Sequence, residues 1–117
     1  MAFAIEEIPD EDKLFRRIHH THLLPEGEVS SAAFKQPRMS VNWEKYSDAQ
    51  RTADENSAAV VALMAGGCRE LNQTVKHMPI GSEQPDGPNQ AHAEVCGNKT
   101  GAICRKLRDI AKKVWVR

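Results

Sequence analysis

Aromatic residues are scarce in this chain: three Phe, two Trp and one Tyr make up 5% of it. So few rings give little platform for stacking single-stranded bases. The three cysteines, Cys68, Cys96 and Cys104, form no Cys-x-x-Cys pair. An odd, dispersed set suggests neither a disulfide framework nor a cysteine zinc site. No apolar run approaches the length of a membrane span, and acids stand where a signal peptide would have its basic region. A cytoplasmic protein with no membrane attachment is therefore expected. Internal repeats and low-complexity tracts are absent as well. What remains is 117 residues, 40% of them hydrophobic, enough for one domain with a real core.

Net charge is also lacking, with 16 basic against 16 acidic side chains, but the distribution is uneven. Residues 1–12 carry Glu6, Glu7, Asp10, Glu11 and Asp12 and no base, whereas residues 97–117 carry seven bases against Asp109 alone. The basic end could meet nucleic acid or an acidic partner. Alternatively, the acidic N-terminus folds back on the basic helix. Residues 1–13 read as an acidic N-terminal arm and 14–117 as a single α+β domain.

Hydrophobic spacing and turn residues give the order of elements. Residues 14–18 alternate well enough for a strand or a short helical turn, and 39–43 alternate like a strand, with Met39, Val41 and Trp43 on one face. Pro25 and Gly27 make a turn, and 29–34 then reads as a strand rich in small residues, broken by Pro37. The polar stretch 44–57 reads as a surface helix or loop. The apolar run 58–64 has the length of a buried strand, with a helix as the alternative its alanines allow, and is followed by a turn at 65–67 and a short helix at 68–72. Residues 74–80 read as another strand, with Pro79 suiting an edge. Gly81, Pro85, Gly87 and Pro88 mark a loop before a strand at 91–96. The longest element is a helix over 100–116, in which Ile103, Leu107, Ile110, Ala111 and Val114 share a face and Arg105, Arg108 and Lys112 lie on another. The fold class is α+β: a small mixed or antiparallel sheet packed by a C-terminal amphipathic helix.

Chemistry-bearing residues gather near the start of that helix. The turn Gly97-Asn98-Lys99-Thr100-Gly101 resembles the end of a P-loop but lacks the upstream glycine, which excludes a nucleoside triphosphatase. With Thr100 as N-cap, Lys99 and the first helical N–H groups can face an anion. The plainer alternative is a tight turn with Lys99 solvated. His92, on the same strand face as Glu94, forms with Lys99 and Thr100 a set suited to metal-independent phosphoryl chemistry. His92 would take a proton from a ribose 2′-hydroxyl, Lys99 would stabilise charge on phosphorus and Thr100 would donate a hydrogen bond. Otherwise His92 is a partly exposed strand residue paired with Glu94. Arg16 or Arg17 near Ser30 and Ser31 could complete an anion pocket with Lys99. His19, His20 and His22 could chelate a transition metal. No Asp or Glu lies near enough in sequence to complete that set, so no metal site is assigned. The basic helix face could track a phosphate backbone, with steep salt dependence, or simply be solvated.

In the segments Leu14-Phe15-Arg16-Arg17-Ile18, Ser30-Ser31-Ala32-Ala33-Phe34, Met39-Ser40-Val41 and Ala91-His92-Ala93 with Gly97-Asn98-Lys99-Thr100, the chain resembles a family of small uncharacterised bacterial proteins to which no activity is attached. The resemblance spans residues 14 onward, except for 44–56. It implies that Arg17, Ser30, Ser31, His92 and Lys99 belong to one shared site. The expected function is binding of a phosphate-bearing ligand, RNA among the candidates, through Arg17, Ser30, Ser31, Lys99 and Thr100, without a cofactor. One alternative is a metal-independent ribonuclease with His92 and Lys99 as its catalytic pair. Another is a non-catalytic subunit of a larger assembly, its protein partner meeting the acidic arm or the Trp115 tail.

Overall fold

Strands in which every second residue is apolar bury one face of a sheet, as Ala93 and Val95 do within 92–96. The computed structural model describes residues 3–117, so residues 1 and 2 of the arm lie outside the described residues. It contains β1 (Lys13–His19), β2 (Arg38–Trp43), β3 (Ser57–Met64), β4 (Thr74–His77), β5 (His92–Cys96) and β6 (Lys112–Val116). Their order across the sheet is β4-β5-β2-β1-β3-β6, and every pairing is antiparallel. Helices α1 (Ala49–Thr52), α2 (Ala65–Glu70) and α3 (Gly101–Ile110) complete an α+β fold. Leu14, Ile18, Val41, Trp43, Leu63 and Val95 turn to one face and join Phe34 and Leu107 in the main core. On the opposite face Phe15, Val60 and Ala62 form a small cluster covered by Ala49, Ala53 and Trp115. On β2 and β5 that face carries the polar Ser40, Asn42, His92 and Glu94.

Two expected elements are replaced. Residues 29–34 are not a strand: Ser30 Oγ accepts from the Ala32 N–H at 3.2 Å, and Ser31–Phe34 is a 3₁₀ turn that drives Ala33 and Phe34 into the core. A serine oxygen satisfying a free N–H starts such a turn more readily than it continues a ladder. The helix expected over 100–116 stops at Ile110, and Lys112–Val116 pairs with β3 as an edge strand. Val114, Trp115 and Val116 are strand formers by side-chain shape. The Trp115 tail thus docks on its own domain. The glycines expected to turn at 65–67 lie inside α2, where Gly66 lets the arm pass: a Cβ there would sit 2.9 Å from Asp10 Cβ.

Residues 3–12 have no regular structure but are tied down. Ile8 is buried, Arg69 donates to the Ile8 carbonyl at 2.7 Å, and Trp43 Nε1 donates to Asp12 Oδ2 at 2.8 Å. Lys45 and Tyr46 both donate to the Glu6 carboxylate. None of these partners lies on α3, so among the described residues the arm's acids pair with groups other than those of the basic helix. The two donors hold Glu6 below its ordinary pKa of 4.5. A carboxylate lowered by folding contributes stability that is complete above its unfolded value and lost as pH falls through the folded one. Below pH 4.5 the arm should therefore loosen ahead of the sheet, seen as faster exchange of the Glu6 amide than of the β5 amides. Parallel exchange of the two at all acid pH would refute this.

Candidate functional site: a cleft where the sheet splits

β1 pairs with β3 along its length, from Lys13↔Met64 to His19↔Ser57, and β2 pairs with β5 from Arg38↔Cys96 to Asn42↔His92. Between themselves β1 and β2 pair only at Leu14↔Trp43 and Phe15↔Asn42. Beyond Phe15 the two central strands part, and Arg16 spans the gap. Its Nη1 donates to the Ser40 carbonyl at 2.9 Å, its Nε and Nη2 to the Ala33 carbonyl at 3.3 and 3.1 Å, and its Nη2 to Gln36 Oε1 at 3.1 Å. Among the described residues no carboxylate pairs with it. Burial, and then the neighbouring charge of Arg17, push its pKa down to about 10. A partly buried cation without a counter-charge makes its surroundings receptive to an anion.

On the outward face this split forms a cleft of about 70 Å³ lined by Phe15, Arg17, Ser40, Asn42, Thr52, Asn89 and His92. Its polar side chains hold one another in place. Thr52 Oγ1 donates to the Asp48 carbonyl at 2.7 Å and accepts from Asn42 Nδ2 at 3.1 Å. Asn42 Oδ1 in turn accepts from Asn89 Nδ2 at 3.0 Å, and Asn89 Oδ1 accepts from the Ala91 N–H at 3.1 Å. Each amide nitrogen has two N–H donors and spends one in this chain. Arg17 Nε donates to the Thr52 carbonyl and lies 3.7 Å from Asp54 Oδ2. Its side chain is half exposed, and among the described residues no hydrogen bond occupies its Nη groups. A groove of about 280 Å³ shares Arg16, Arg17 and Ser40 with the cleft and runs on to His19, His22 and Gln36.

His92 Nδ1 lies 2.8 Å from the Met78 carbonyl, which can only accept, so that nitrogen carries the proton. Nε2 is then the acceptor, and it lies 3.4 Å from Ser40 Oγ. Glu94, the alternative partner of His92, is instead bound by Arg38 at 3.0 Å.

Of the residues singled out in the sequence, Arg17 and His92 meet at the cleft. Lys99 does not join them: its ammonium donates to the carbonyls of Val95 at 2.9 Å and Pro37 at 3.2 Å, and burial lowers its pKa. Val95 is three residues from His92, about 10 Å along the strand. The turn before Lys99 is built on packing: Gly97 has φ +155°, and a Cβ there would meet Gln73 Oε1 at 2.6 Å. Thr100 is the N-cap of α3, accepting from the Ile103 N–H at 3.2 Å. Ser30 and Ser31 start the 3₁₀ turn that packs on α3 at the core side of the sheet. His19 Nδ1 meets Thr21 Oγ1 at 2.8 Å, and its ring lies on that of His20. Among the described residues no three His, Cys, Asp or Glu side chains converge as a metal would require. Arg16, expected as an alternative to Arg17 beside Ser30 and Ser31, binds the Ala33 carbonyl of their turn but not Lys99; Ser40, Asn42, Thr52 and Asn89 were not anticipated as site residues. For Ser40 and Asn42 a signal existed, since they alternate with the apolar Met39, Val41 and Trp43 and so must face outward.

Comparison of the chain with protein-family models, with curated proteins and with solved structures found no match.

Proposed function

We propose that the protein binds a phosphate-bearing ligand at this cleft, with the anion on Arg17 and the rest of the ligand in the groove toward His19 and His22. Arg17 is the observation that carries the reading. Its Nε is anchored on the Thr52 carbonyl, its Nη groups are unspent, and it stands beside the uncompensated charge of Arg16. A guanidinium fork matches two phosphate oxygens, and the Ser40 hydroxyl with the Asn42 and Asn89 amides adds neutral donors. The phosphate-binding role expected from the sequence is thereby kept but moved from the start of α3 to the split in the sheet. RNA is one source of such an anion. A cytoplasmic setting belongs to the same proposal; no helix among the described residues is long and apolar enough to cross a membrane.

Inorganic phosphate and a nucleoside monophosphate are the first probes, read by thermal unfolding at matched ionic strength. A ligand that binds only the folded chain stabilises it by about 2.7 kcal/mol at a hundredfold excess over Kd. Arg17→Ala should weaken binding at least roughly tenfold, the scale of charge-assisted hydrogen bonds. Lys99→Met should leave affinity unchanged. Retention of binding in the Arg17 variant, or its loss in a folded Lys99 variant, would overturn the assignment.

A further inference from the structure

We infer that Ser40 is a nucleophile activated by His92, so that the cleft catalyses acyl transfer from esters that carry a negative group. The choice of an anionic ester rests on the anion-binding reading; the nucleophile does not. A hydroxyl becomes reactive when a base takes its proton and a third group holds that base in the correct tautomer. All three parts are present. Ser40 Oγ is 3.4 Å from His92 Nε2, and the Met78 carbonyl holds Nδ1–H at 2.8 Å. The first distance is long for a strong hydrogen bond, as is common at unliganded sites where the contact tightens on binding.

The sheet makes this pair rigid. Ser40 on β2 pairs with Glu94 and Asn42 with His92, so Ser40 and His92 are diagonal neighbours on one outward face. Arg16 pins the Ser40 backbone through its carbonyl, while the Ser40 side chain stays exposed to a substrate. With the Arg17 fork on the substrate's negative group, the second N–H of Asn42 or Asn89 is the donor at hand for an oxyanion.

Ser40 Oγ attacks the ester carbonyl carbon as its proton passes to Nε2, and the carbonyl oxygen becomes the oxyanion. Collapse breaks the bond to the alcohol, which leaves with the proton from Nε2. Water then attacks the acyl-serine, passing a proton to Nε2. The acid is released as that proton returns to Ser40 Oγ. One imidazole serves both halves because nucleophile and leaving group stand on the same side of a tetrahedral carbon. An in-line displacement at phosphorus would put the leaving group on the far side. Among the described residues His92 is the one histidine lining the cleft itself, while His19, His22 and Asp54 line the adjoining groove. The acyl reaction needs only the one imidazole beside Ser40, whereas phosphoryl transfer would have to recruit a second group from that groove.

A fluorophosphonate probe tests the nucleophile on the full chain, since Ser40 Oγ would bond to phosphorus while the P–F bond breaks and His92 takes the proton. We expect one adduct, located at Ser40 by peptide mass. It should be absent in Ser40→Ala, slowed at least roughly tenfold in His92→Gln, and slowed by inorganic phosphate. Phosphate-induced stabilisation of Ser40→Ala would show that the variant is folded, and the adduct's position in the unaltered chain decides even if it is not. No adduct, an adduct on another serine, or undiminished labelling of His92→Gln would overturn the inference. Labelling at Ser40 that phosphate does not slow would uphold the nucleophile and count against the anion site.

Discussion

Replacing Arg16 with methionine is expected to destabilise the fold by about 1–3 kcal/mol, because it leaves the partly buried Ala33 carbonyl without its donors and removes the exposed bond to the Ser40 carbonyl. For a domain of this size the melting temperature should fall by on the order of 10 °C. The guanidinium sits where two central strands have parted, and three acceptors around it are met by one planar fork. Lysine is a poor substitute, since a single ammonium on a flexible stem cannot reproduce that geometry. Arg16→Lys should therefore recover only part of the loss. Against these gains stands the cost of holding a cation away from water and beside Arg17, which is why its pKa is lowered to about 10. Urea unfolding of both variants decides which effect wins. A methionine variant as stable as the original chain would mean that desolvation cancels the hydrogen bonds. In that case Arg16 would be held for its charge at the cleft, and phosphate stabilisation would still fall in the variant.

How much of this was legible beforehand depends on whether the deciding contact is local. Strand alternation placed β2, and β1 as one of two readings, because burial of one face is written into each segment; the continuous apolar run placed β3, which is buried on both faces, and turn residues placed β5. The Thr100 cap was legible for the same reason, lying three residues from its partner. The C-terminal strand was misread because Val114 continues the helical spacing of Ile103, Leu107 and Ile110, and no glycine or proline marks the end of α3. Only the vacant edge of β3, contributed from far away in sequence, decides for a strand. The candidate site was half legible. Arg17 and His92 carried recognisable chemistry, but Lys99 was grouped with His92 by nearness in sequence, whereas strand geometry sends them to different ends of β5. Arg16 was named only as an alternative to Arg17, because its bridging role exists only once β1 and β2 separate. That separation is a property of the whole sheet, and no window of sequence contains it.

Trp43→Ala should be the other severe change, costing about 3–5 kcal/mol, the range for emptying a buried aromatic site. Trp43 is 2% exposed, meets Tyr46 edge-on at 5.5 Å and His77 at 5.1 Å, and donates its indole N–H to Asp12. Phenylalanine at this position would keep most of the ring packing and lose the N–H bond, a change of about 1 kcal/mol. The two variants thus separate packing from polarity. They also bear on the cleft, because Trp43 and Leu14 form the next-to-last register pair before β1 and β2 diverge. With its side chain locked in the core, the two-residue strand period turns Asn42 and Ser40 outward. Weakening that lock should blunt phosphate binding in the alanine variant even at temperatures where it remains folded, and leave the phenylalanine variant close to the original chain. Equal phosphate affinity in all three folded proteins would mean that β5 and Arg16 alone hold β2 in place, and that the buried tryptophan contributes to stability without positioning the site.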